Sequence, residues 1–206
     1  MPAEVMQIEI AVDPYAPAVY PPRKRWTRAE CTSLESTGLW ERDHLELIEG
    51  ELITKMPKKR PHTIAYLYLL EWLGAVFGIR YLNPETAIDV APEDNPTSEP
   101  EPDIAVLSGL ASAYVKSNPP ASDVRLVVEV SDSTLAFDQG PKARLYARAD
   151  IQEYWVVDVK SSQIIVHRIP TNGIYATIAA YERGETIAPL AAPDSPLAVS
   201  TIFPGE

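Results

Sequence analysis

Short apolar runs bounded by turn residues fill most of the chain, and one longer apolar stretch interrupts them. Ile104–Leu107 and Val124–Val130 are almost continuously apolar, the pattern of strands covered on both faces in the middle of a sheet. Glu153–Val159 and Gln163–Arg168 flank Lys160-Ser161-Ser162 and predict a hairpin. Tyr175–Tyr181 and Thr186–Leu190 flank Arg183-Gly184 and predict another, after which Leu197–Phe203 returns to the core. The alternation of Val157, Val159, Ile164 and Val166 with polar residues predicts a sheet face that is wet or joins a partner. Upstream, His44–Ile48 and Leu52–Thr54 surround Glu49-Gly50, a tight-turn pair, and the acids Glu46, Glu49 and Glu51 are expected together at one end of that hairpin. Arg80–Leu82 and Ala87–Val90 read as two further strand pieces.

Three helices complete the pattern. Thr27-Arg28-Ala29-Glu30 has the form of a capping box, so a helix is expected to run to Thr37 and stop near Gly38. Pro61 suits the start of the long apolar stretch Ile64–Ile79, because the first helical residue has no use for the N–H that proline lacks. With Glu71 inside it, that stretch falls short of a membrane span and predicts a buried helix, and no membrane partner is expected. Gly140-Pro141 predicts a third helix from Lys142 to Ala149, with Lys142 in its first turn and Tyr146 on the same face to brace it. Pro92–Pro102 holds four prolines and cannot form a ladder, and Gly109–Asp123 is a second loop. This order of elements gives an α/β fold, a loose arm over residues 1–22 and a single domain over residues 23–206.

Charge changes the picture in one respect. Asp plus Glu number 29 against 18 Lys plus Arg, a net charge of −11, which argues against a broad electrostatic grip on nucleic acid. The bases are nevertheless clustered: Arg23, Lys24, Arg25 and Arg28 form one group, and Lys55, Lys58, Lys59 and Arg60 another. The stretch from Glu85 to Asp103 holds seven acids and no base. One cysteine, Cys31, excludes an internal disulfide and a cysteine-based zinc site, and points to a reducing, cytoplasmic location.

Candidate chemistry centres on Glu129. A carboxylate in an otherwise apolar central strand is disfavoured by several kcal/mol unless a cation, a donor or a metal compensates it. Asp103 stands just ahead of the neighbouring apolar run, Lys142 lies thirteen residues beyond Glu129, and Asp89 is a candidate third acid. Two carboxylates and a lysine are the minimum set that holds Mg²⁺ and activates a water at a phosphodiester. A buried ion pair between Glu129 and Lys142 or Arg144 is the plain structural reading of the same residues. His62, in the first turn of the long helix, is expected to be a local hydrogen-bond partner.

From Leu45 to Phe203 the chain resembles the Uma2 family of endonucleases, a branch of the PD-(D/E)XK nuclease superfamily. The matching pieces are Glu46–Leu52, His62, Glu99–Val106, Val127–Ser131, Asp138 with Lys142 and Tyr146, and Glu153–Asp158. The resemblance implies a restriction-endonuclease-like core: a central mixed β-sheet flanked by helices, here with extra C-terminal β-hairpins. Pro102-Asp103 would be the first acidic element and Glu129 the second. The superfamily lysine falls two residues after the second acid, where this chain has Ser131, and the resemblance puts its substitute at Lys142. Asp103, Glu129 and the carbonyl oxygen of Val130 would hold Mg²⁺, with Mn²⁺ as a substitute, for hydrolysis of DNA. Lys142 would orient the water, Glu46 would act as a helper acid with His62 orienting it, and Lys55, Lys58, Lys59 and Arg60 would contact phosphates. The alternative is a nuclease-like fold without turnover that serves as a binding or assembly module. A homodimer is expected because Trp155, Val157, Ile164, Val166 and Tyr175 look too apolar for the available helices to cover.

Overall fold

The computed structural model describes residues 22–37 and 45–203. The expected arm over residues 1–22, apart from Pro22, and the expected features at Gly38 and His44 fall outside them. Helix α1 (Arg28–Glu35) opens with the capping box, in which Thr27 and Glu30 each satisfy the other's backbone N–H. Strands β1 (Leu45–Ile48) and β2 (Glu51–Thr54) pair antiparallel around Glu49 and Gly50, both with positive φ. Only glycine fits at position 50, since a Cβ there would come within 2.7 Å of the Arg25 Cβ. The hairpin acids part company: Glu46 is buried, Glu49 pairs with Arg148, and Glu51 is exposed.

Helix α2 (Arg60–Leu73) continues through a wide turn at Gly74–Gly78 and a tight one at Ile79–Tyr81 into β3 (Leu82–Pro84). The whole helical run, Arg60–Tyr81, spans 22 residues and so exceeds the sixteen expected; by length and composition alone it could cross a membrane. Here its Ala65, Leu69 and Leu73 pack on the sheet. Residues 87–90 form no strand. Ile88 and Val90 are buried, but their N–H groups go to the Pro100 carbonyl and the Asn95 side chain rather than to a ladder.

Strands β4 (Ile104–Leu107), β5 (Val124–Ser131), β6 (Glu153–Asp158), β7 (Gln163–Thr171) and β8 (Ile174–Tyr181) join β3 in one six-stranded sheet, ordered β3-β4-β5-β6-β7-β8. It is mixed: β5 and β6 run parallel and every other pair antiparallel. A parallel pair needs a crossover on one face. That crossover holds the short helix α3 (Leu135–Phe137), a π-turn at Asp138–Lys142 and helix α4 (Ala143–Arg148). Helical structure therefore begins before Pro141 rather than at it. The wider π-turn absorbs a proline that has no N–H and whose ring would crowd the preceding turn. Lys142 consequently sits at the end of that turn, not in a helix's opening turn.

Strand β8 at the edge is largely exposed, whereas over β4, β5 and β6 both faces of the sheet are covered. On one, α2 and the C-terminal Leu197, Val199, Ile202 and Phe203 pack on Val128, Val130, Trp155, Val157 and Val166, and Trp72 stacks on Trp155. On the other, Ala143, Leu145 and Tyr146 pack with Val127, Tyr154, Val156 and Ile165. All six residues of β6 are buried, so neither of its faces is wet. Trp155, Val157, Ile164, Val166 and Tyr175 are covered within one chain, which removes the basis on which a homodimer was expected. The second C-terminal hairpin also differs: β9 (Thr186–Ile187) pairs with β10 (Leu197–Ala198), not with β8.

Candidate active site

Strand alternation and the β5–β6 crossover assemble the site. The register Ile104↔Val128 and Ala105↔Val127, continued by one residue, sets Asp103 opposite Glu129 on the face that carries the crossover. The crossover lowers Lys142 onto that face, where its Nζ donates to Glu129 Oε1 at 2.8 Å and pairs with Glu46 Oε1 at 3.0 Å. Tyr146 Oη donates to the same Glu129 oxygen at 3.0 Å, so it braces the carboxylate and not the lysine. Glu46 comes from β1 and is fixed by the Glu101 N–H at 2.8 Å.

Asp103 is tied differently. Its Oδ2 accepts from the Val130 N–H at 2.8 Å and faces His62 Nε2 at 3.4 Å, and its Oδ1 lies 3.0 Å from Lys58 Nζ. His62 therefore orients Asp103 rather than Glu46, while its Nδ1 is buried without a partner. Asp103, Glu129, Glu46, Lys142, His62, Val130, Lys55, Lys58 and Lys59 all line one pocket of about 900 Å³. Arg60, the first residue of α2, does not line it. Nor does Asp89, which pairs with Arg28 at 2.6 Å.

The other basic cluster is likewise engaged elsewhere. Arg28 is held by Asp89, Asn95 and the Ser98 carbonyl, Lys24 by Glu30, and Arg25 by the Glu49 carbonyl. At the pocket rim, Lys55 pairs with Glu101, Lys58 with Glu85, and Lys59 with Asp132 at 3.3 Å.

Asp138, a piece of the family resemblance to which no site role was assigned, belongs to the centre. It is buried, accepts from Thr134 Oγ1 at 2.6 Å, and acts electrostatically on Lys142 and Glu129. Its spacing of four residues before Lys142 was the available signal, since two residues one helical turn apart share a face.

Carboxylates outnumber cations here, and the titration behaviour follows. Burial pushes the Glu129 carboxyl up to about 8; Lys142 opposes the rise, and Asp103, Asp138 and Glu46 add to it. Burial disfavours the Lys142 ammonium, yet Glu129, Glu46 and Asp138 outweigh it and hold the pKa well above the ordinary value. Both shifts run upward, so the lysine keeps its charge and Glu129 holds its proton more tightly than an ordinary carboxyl. Burial works against the charge on Asp103 too, but His62, Lys58 and the Val130 N–H overcome it and bring the carboxyl down to about 2.

The donor set is all hard oxygen, which suits Mg²⁺ held through one or two carboxylates with waters and a substrate oxygen filling the remaining positions. Among the described residues no group of three His, Cys, Asp or Glu could hold a metal by itself. Asp103 and Glu129 would supply two carboxylates to such an ion, and other oxygen donors would have to fill its remaining positions.

Over residues 33–200 the chain matches a family described as "Uma2: Putative restriction endonuclease". A solved structure, described as a "putative nuclease belonging to DUF820 from Anabaena variabilis ATCC 29413", superposes with a TM-score of 0.60. The match covers 82% of this chain and 95% of that one at 16% sequence identity, so it speaks for the fold. No curated protein matches the chain.

Proposed function

Because the chain belongs to the Uma2 family, whose members are nuclease-type proteins of restriction-endonuclease-like fold, we propose that it is a Mg²⁺-dependent endonuclease that hydrolyses phosphodiester bonds in DNA. The observation that carries this reading is the convergence of Glu129 and Glu46 on one buried lysine, with Asp138 acting on it electrostatically, beside an Asp103 pinned by a backbone N–H, in a pocket open to solvent. Asp103 and Glu129 would hold the ion with the Val130 carbonyl oxygen. When bound, Mg²⁺, or Mn²⁺ in its place, supplies Lewis-acid activation of a water and of the scissile phosphate. Lys142 would orient that water and offset the charge that develops on the phosphoryl oxygens. Tyr146 fixes Glu129, His62 fixes Asp103, and Glu46 keeps Lys142 charged. Lys55 and Lys59 would meet phosphates once they leave their acidic partners. The lone cysteine suits a cytoplasmic setting.

The rival is a nuclease-like binding module that has lost turnover, favoured by Ser131 in place of the superfamily lysine. Supercoiled plasmid incubated with Mg²⁺, with Mn²⁺ and with chelator, beside a Glu129→Ala control, separates the two. Metal-dependent nicking by the wild type and none by the control is expected. An intact plasmid with both proteins, together with measurable DNA binding, would establish the module instead.

A further inference from the structure

Two lysines touch the acidic centre, and they are held in different ways. Lys142 is enclosed, its side chain 6% exposed between Glu46 and Glu129. Lys58 is not. It stands on the link between β2 and α2, its side chain is 40% exposed, and its Nζ lies between Asp103 and Glu85 over the ring of Tyr66. With Asp103 Oδ2 already committed to the Val130 N–H and His62, Oδ1 is the oxygen left for an ion, and Lys58 occupies it at 3.0 Å. A divalent ion bonded to Oδ1 at about 2 Å would stand within roughly 5 Å of that ammonium, close enough for strong repulsion.

We propose that Lys58 is a displaceable counter-ion: it neutralises Asp103 while no metal is bound, competes with the divalent ion for Oδ1, and swings on its exposed stem to a phosphate oxygen when the ion enters. The inference rests on the reading of Asp103 and Glu129 as metal ligands. It gives Lys58 a role different from those of Lys55 and Lys59, whose partners Glu101 and Asp132 are not among the ligands. Glu85 is the clamp that keeps Lys58 in place, and it also keeps the exchange local, because the released ammonium stays at the pocket rim.

The test is a Mn²⁺ titration of nucleic-acid-free protein by calorimetry, on wild type, Lys58→Met and Lys55→Met. Lys58→Met is expected to bind Mn²⁺ about tenfold more tightly than wild type, the effect of removing one partly screened charge, with Lys55→Met within about twofold. In Ca²⁺, a duplex oligonucleotide should bind Lys58→Met several-fold more weakly than wild type. Equal Mn²⁺ affinity in Lys58→Met and wild type, or an equal gain in Lys55→Met, overturns the competition while leaving the metal-dependent reading standing. No saturable Mn²⁺ binding to any form overturns both.

Discussion

Glu129 and Glu153 are both buried glutamates on adjacent central strands, β5 and β6, and their surroundings could hardly differ more. Glu153 is fully buried, and its Oε1 accepts from Trp155 Nε1 and from the Arg168 guanidinium through Nε and Nη2. Its Oε2 accepts the Leu190 N–H at 2.7 Å. One acid meets one base, both oxygens are used, and the group lines no part of the pocket. Glu129 shares one lysine with Glu46 and lies near two more carboxylates, and burial with these like charges pushes its pKa up. A saturated buried carboxylate holds structure together; an undersupplied one that opens on a pocket is poised to take a cation.

The strongest way to break this contrast is at Lys142. Lys142→Ala should cut cleavage by roughly two to three orders of magnitude, the cost of losing a preorganised electrostatic group, while divalent affinity holds or rises. Without its cation the metal-free variant should melt lower, and Mg²⁺ should restore most of the loss. A plasmid assay and thermal melts with and without Mg²⁺ check both points. Persistent destabilisation in Mg²⁺ would make Lys142 structural, like Arg168.

Glu153→Ala is the converse, and its effect should fall on stability alone. It strips the partner from Arg168, Trp155 Nε1 and the Leu190 N–H. A loss of about 3 kcal/mol is expected, at the low end for a broken buried pair because Arg168 keeps part of its hydration. Mn²⁺ affinity should not move. Glu129→Ala should do the reverse, abolishing Mn²⁺ binding with little change in denaturation midpoint, since Lys142 keeps Glu46.

The smallest effect is in pH. The folded Glu129 pKa is raised, so the carboxyl keeps its proton below about 8 and must release it to bind a metal. Divalent affinity should therefore climb with pH by up to about tenfold per unit and level off above pH 8. Calorimetry in buffers of different ionisation enthalpy reads the released proton directly. Flat affinity from pH 6 to 8 would place the surplus proton elsewhere.

Much of this was legible in the chain. Continuous apolar runs marked β4 and β5 as interior strands, because only strands covered on both faces can spare polar residues, and Glu129 stood out against that background, whereas the alternation across β6 and β7 suggested a wet face that the fold buries. The capping box at Thr27 and the turn at Glu49-Gly50 are local rules, and local rules carry over directly from sequence to structure. Asp103 and Glu129 were likewise legible, as polar residues beside or within runs that otherwise exclude them, and Lys142 as the cation that follows the Glu129 strand. What lay beyond the sequence was pairing across distance. That Asp89 turns to Arg28, that His62 serves Asp103, that β9 pairs with β10 and that Lys58 sits against Asp103 Oδ1 are settled by how separate elements meet. Coverage of the C-terminal strands was equally non-local: α2 and residues 197–203 bury one face and the crossover the other. Periodicity reports which side of an element is apolar, but the partner that covers it, or the ion that neutralises it, comes from elsewhere in the chain, and only the tertiary fold decides which.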